Sequence, residues 1–260
     1  MTEKILPNLK MPPLNTTLMG VIKGVSDYFG LGYSDAWLYG GSGHAFLINI
    51  PSDLCPSGPY VWNHKPFYKL VRNLGIKTTD LGFSHATPEE RRRIEGILKK
   101  SIDSKMPCAL RDKEDQIISG YDDTHFIVQK PWPQIDYTPD TLTFETWKEV
   151  GGSIGGAFYT FTKIPSAPEK EIVRDSLNYA VDLVKNPTRI PERTSGTYCG
   201  GLEAYDTWIQ AVKDGLGSSH GNWWNGTVWW ECREMAVKYF EEIAAKIDGI
   251  SQKATNLNSQ

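Results

Sequence analysis

A chain of 260 residues can form one large domain or two small ones. Its composition, 40% hydrophobic and 23% charged, is that of a globular protein and excludes a disordered or fibrous class. The net charge of −3 provides no basic footprint for nucleic acid. No apolar run reaches the ~18 residues that a membrane-spanning helix needs, so no membrane partner is expected.

The first fifteen residues contain Lys but no continuous apolar stretch, so no secretory signal is expected. Four cysteines stand at 55, 108, 199 and 232, none in Cys-x-x-Cys spacing. That pattern points away from a zinc site and from a disulfide framework. The expectation is a cytoplasmic protein with reduced thiols and neither metal nor cofactor.

In chain order, Thr17 to Phe29 is expected to be helical, because Leu18, Val21, Ile22, Val25 and Phe29 recur at helical spacing. Gly30 ends it. Ser34 to Leu38 is expected to form one short helical turn. His44 to Ile50 is a short apolar run and is expected to be a strand. Pro51 to Pro59 holds three Pro, one Gly and two Ser and is expected to form a loop. Pro66 to Leu74 is helical, with Gly75 as its end. Thr87-Pro88-Glu89-Glu90 combines a cap, a Pro at the first helical position and acids in the first turn. The helix it starts is expected to run to about Lys105.

Past Lys105 the pattern becomes strand-like. Pro107 to Leu110, Gln116 to Ser119 and His125 to Gln129 read as strands, with Gly120 to Thr124 as the hairpin turn between the last two. Leu142 to Phe144 and Ala157 to Lys163 are further strands. Helices follow over Ser166 to Lys185 and Gly200 to Asp214, and a last long one starts near Trp223 to Thr227 and runs to about Ile247. The tail from Ser251 is polar. Helices, then strands, then helices is an α+β order.

Two segments carry a resemblance. One is Asn15 to Gly30, which ends in Tyr28-Phe29-Gly30. The other is Glu114 to Pro131, which contains Gly120-Tyr121-Asp122. Together they resemble the two halves of a papain-like cysteine-peptidase core of the C39 type. The stretch Leu38-Tyr39-Gly40-Gly41-Ser42-Gly43-His44-Ala45-Phe46 is further similar to the Gly-rich stretch of the butirosin biosynthesis H protein N-terminal domain family. The resemblance implies a papain-like α+β core over residues 14–165 and a helical C-terminal region over 166–250. It also implies a peptidase or an acyltransferase that moves an amino-acyl group.

In such a core a Cys stands at the start of the first helix, where the helix N-terminus stabilises a thiolate. The resemblance puts this position at Thr17. It puts the catalytic His at Glu114, Asp115 or Gln116, and the orienting Asp at Lys130. The reactive set is therefore replaced, and Thr17 is expected to be dispensable for folding. Thr17, Gln116, Tyr121 and Ser42 are the residues expected to line a ligand cleft.

Local chemistry singles out other groups. Gly40 to His44 is not a nucleophile elbow, because His44 stands where the second Gly belongs. His44 remains the histidine able to act as acid, base or anchor. Cys199 precedes a helix and is followed by Gly200-Gly201, a setting that lowers a thiol pKa and leaves N–H groups open. It is the leading thiol nucleophile, with His44 or His220 as its base. Cys55 lies in a Pro-rich loop, and Cys108 and Cys232 read as packing residues. Asp122, Asp123 and His125 are too few for a metal site and read as a hairpin turn. Of Trp223, Trp224, Trp229 and Trp230, at least one ring should be exposed.

Three functions stay open. The first is a papain-like domain without its triad that binds a peptide or a small amino-acyl-like ligand. The second is an active amide hydrolase or acyltransferase with a relocated nucleophile, Cys199. The third is a structural protein that forms a homodimer through its Trp-rich helix.

Overall fold

The computed structural model describes residues 3–83, 87–136, 140–144, 157–190 and 198–246. The fold is α+β, with seven α-helices and an antiparallel sheet among the described residues. The chain divides into two compact units: Met1–Tyr33 with Gly75–Pro165, and Ser34–Leu74 with Ser166–Gln260. One crossing between the units falls after Pro165, and residues 34–74 group by contact with the C-terminal part.

The first unit is built on α1 (Thr17–Tyr28) and a seven-stranded sheet. The strands are β1 (Lys4–Ile5), β3 (Ile76–Phe83), β4 (Cys108–Arg111), β5 (Asp115–Tyr121), β6 (His125–Gln129), β7 (Thr141–Thr143) and β8 (Ala157–Lys163). The order is β3-β8-β4-β5-β6-β7, with β1 paired to the Gly120–Tyr121 end of β5. Every pairing is antiparallel. α4 (Pro88–Asp103) starts with a capping box, Thr87 with Glu90, and packs on β1, β4, β5 and β8.

α1 is buried from Thr17 to Val25 on nearly all sides, with Leu18, Met19, Val21, Ile22 and Val25 in the core. Gly24 lets it approach its neighbours closely. A Cβ there would stand 2.1 Å from the Lys10 carbonyl oxygen and 2.6 Å from Ile117 Cδ1 on β5.

The second unit holds α2 (Asp35–Gly41), α3 (His64–Asn73), α5 (Glu169–Lys185), α6 (Glu203–Lys213) and α7 (His220–Lys246). A two-stranded ribbon joins β2 (Asn49–Pro51) to β9 (Tyr198–Gly200). Its core is aromatic, with Trp37, Tyr39, Trp62, Phe67, Trp229 and Tyr239 all buried. α2 lies against α7 so closely that a Cβ on Gly40 would meet the Tyr239 ring at 2.0 Å.

Four local expectations are corrected. His44 to Ile50 is not one strand: His44–Phe46 is a 3-10 turn, and only Asn49–Pro51 is extended. Gly43, with φ 78°, reverses the chain there, and a side chain on it would meet Tyr179 at 2.3 Å. The short turn at 34–38 is a full helix to Gly41. Gly120 and Tyr121 belong to β5, so the hairpin turns on Asp122–Thr124, where Asp122 Oδ1 accepts from the Thr124 and His125 N–H groups. The edge strand β3 has no counterpart among the strands expected from sequence. The expectations for Ile247 and for the polar tail lie outside the described residues.

Candidate functional site

The first turn of α1 meets the start of β5 through a buried polar chain. The Thr17 hydroxyl donates to Glu114 Oε2 at 2.8 Å and accepts from the Asp115 N–H at 3.1 Å. Arg111 Nε on β4 donates in turn to Asp115 Oδ1 at 3.1 Å. The sheet register explains this last contact, because Arg111 and Asp115 are paired across β4 and β5.

Thr17 and Glu114 are 1% and 4% exposed, and Asp115 and Gln116 are equally buried. Burial raises the Asp115 carboxyl above the usual carboxylate range, while the Arg111 charge and hydrogen bond pull the other way. The fold therefore brings together three residues that the resemblance singled out: Thr17, Glu114 and Asp115.

A carboxylate beside a hydroxyl is the geometry of a base and its nucleophile. Here the hydroxyl is shielded from solvent and already holds both a donor bond and an acceptor bond. The chemistry this arrangement supports is a polar tie between the helix N-terminus and the sheet. Lys130, at the third position of the resemblance, is paired with Asp140 at 3.2 Å.

The other residues expected to line a cleft are placed elsewhere. Tyr121 stands at the far end of β5, six residues and about 20 Å from Asp115 at strand rise. Its hydroxyl donates to Asp103 Oδ1. Ser42 belongs to the second unit, where its buried hydroxyl donates to the Tyr39 carbonyl at 3.2 Å.

In the second unit His44 is 1% exposed, and its Nδ1 lies 3.4 Å from the Sγ of the fully buried Cys232. Trp62, Tyr39, Phe67 and Trp229 enclose the imidazole, their ring centroids 5.4 to 6.4 Å away. Burial first, and then the Arg233 charge, push its pKa down to about 3. The imidazole is neutral at pH 7, so this pair holds no thiolate–imidazolium dyad. Sequence reasoning missed Cys232 as the partner of His44, since 188 residues separate the two and no spacing links them.

Cys199 lies within β9, paired with Ile50, and α6 starts four residues later at Glu203. It is not at a helix N-terminus. Its thiol makes one long contact, 4.0 Å to the Gly200 carbonyl, and no hydrogen bond among the described residues joins it to a histidine. His220 packs on Trp223 instead. Asp122 is occupied as the hairpin staple, and no cluster of three or more metal-ligating side chains occurs among the described residues.

Among the described residues no helix is long and apolar enough to cross a membrane. Comparison with protein-family models, with curated proteins and with solved structures found no match.

Proposed function

We propose that the chain is a papain-like domain of the butirosin biosynthesis H type whose reactive set has been replaced, and that it binds a peptide or a small amino-acyl-like ligand without turning it over. One observation carries this reading: the Thr17–Glu114 hydrogen bond. Motif counting assigned Thr17 to the thiol position and Glu114 to the candidate imidazole positions. A direct 2.8 Å contact between residues so distant in sequence supports that assignment. Their burial favours a tie over a catalyst.

The test is a set of amino-acyl thioesters of a small thiol, with matching dipeptides. The reading expects a ligand-dependent rise in Tm and release of free thiol no faster than in buffer. Catalysed thiol release that is lost on Cys199→Ala would replace it with the relocated-nucleophile enzyme. No rise in Tm with any compound at millimolar concentration would remove the ligand-binding claim.

A further inference from the structure

α6 is built the wrong way round for a helix that serves only its own core. Its inward positions are small: Ala204 and Ala211 are buried. Its large apolar side chains face out. Leu202, Tyr205, Ile209 and Val212 are all exposed, Ile209 by 53%. Their spacing of three, four and three residues is the seam that packs against another helix. The inward flank of this stripe continues onto α7. The Trp208 ring lies 3.7 Å from where a Cβ on Gly226 would stand, and Gly226 is flanked along α7 by Trp223 and Trp230, the latter 64% exposed. At about 150–250 Å² per ring, the exposed parts of these two tryptophans present on the order of 200–300 Å² before the α6 stripe is added.

The charges on the stripe's free flank indicate the occupant. Asp206 and Lys213 are both exposed, and neither makes an ion pair among the described residues. At ~100° per residue they lie on the same side of the seam. Asp206 is three residues before Ile209 and Lys213 is four after it. A two-fold axis through Ile209 would set two α6 helices antiparallel with Ile209 against its copy. It would also bring each Asp206 opposite the partner's Lys213, making the same contact twice. The opposed helix dipoles favour the same arrangement.

We propose that a second copy of this chain covers the α6 face, forming an isologous antiparallel dimer about Ile209. This proposal does not depend on what ligand the protein binds. The test is sedimentation equilibrium of the full chain and three variants. The native chain should associate reversibly to a dimer below about 100 µM, and Asp206→Lys and Lys213→Asp should each weaken association tenfold or more. Both changes lie on an exposed helix flank and should leave the fold intact, which circular dichroism would check. Mixing Asp206→Lys with Lys213→Asp should restore dimerisation, because only the mixed pair has opposite charges at both contacts. Ile209→Asp should be monomeric. A native chain that stays monomeric over this range, a dimer insensitive to all three substitutions, or a mixture no tighter than its components would overturn the proposal.

Discussion

The Thr17 hydroxyl donates a 2.8 Å hydrogen bond to Glu114 across 97 residues of sequence, and both residues are buried. Removing one donor from a buried carboxyl group weakens its hydrogen bonding where water cannot readily replace it, so this bond should matter to stability. Thr17→Val keeps the shape and removes the hydroxyl. We expect it to destabilise the protein by about 1–3 kcal/mol, with Thr17→Ser much closer to native. Denaturant titration of both variants checks this. Equal stability of all three would restore the expectation that Thr17 is dispensable for folding.

Gly24 should be as sensitive for a steric reason. Its missing Cβ leaves room for the Lys10 carbonyl and the Ile117 side chain. A backbone carbonyl cannot swing away, so Gly24→Ala should cost about 1–3 kcal/mol despite the better helix propensity of Ala. Gly96 on α4 has open space around it, and Gly96→Ala should be neutral or stabilising by the same measurement.

His44 gives a pH dependence with a defined sign. Its folded pKa, about 3, lies below the unfolded value of 6.5. The unfolded chain therefore takes up a proton that the folded one refuses. The stability tied to the neutral ring is complete above about pH 6.5 and is lost as pH falls from there towards 3, a loss on the order of 4–5 kcal/mol over the full window. His44→Gln removes the titrating group, and its stability should fall less steeply between pH 6.5 and 4. Parallel slopes for the two proteins would mean that the imidazole is hydrated.

The four thiols should separate by burial. Cys55 and Cys199 are partly exposed, whereas Cys108 and Cys232 are buried. Burial pushes the Cys108 thiol up to about 12, which suppresses its thiolate further. A thiol-alkylating probe at neutral pH, mapped by mass spectrometry, should label the first two in the native state and the last two only in denaturant. Cys199 labelled far ahead of Cys55 would revive the relocated nucleophile.

Much of the fold could be read from sequence where a local rule governs. α1 follows from apolar periodicity, α4 from its start signals and β6 from its short run Phe126-Ile127-Val128. Legibility failed where tertiary contacts decide. β3 is an edge strand whose Lys77, Thr79 and Asp80 face solvent, so it lacks an apolar signature and is held by pairing with β8. His44 to Ile50 has strand-like composition, but the left-handed Gly43 and the packing of Tyr179 turn it into a 3-10 bend. At the site, motif spacing pointed to Thr17 and to a window that included Glu114. It could not choose among Glu114, Asp115 and Gln116, because that choice depends on the turn from β4 into β5. The His44–Cys232 contact left no trace in sequence, since it forms only when α7 packs against the 3-10 turn.

We propose that Thr17 and Glu114 occupy the thiol and imidazole positions of a papain-like core. Thr17→Cys combined with Glu114→His tests it directly by rebuilding the pair. The measurement is the pH titration of the [13Cβ]cysteine NMR signal at position 17, compared with Thr17→Cys alone. In the double variant the thiol should titrate at least one unit below the free value of about 8.5, and below the single variant, as an imidazolium and a helix N-terminus together require. A folded double variant whose introduced thiol titrates at or above about 8.5 would mean that the two residues do not hold those positions.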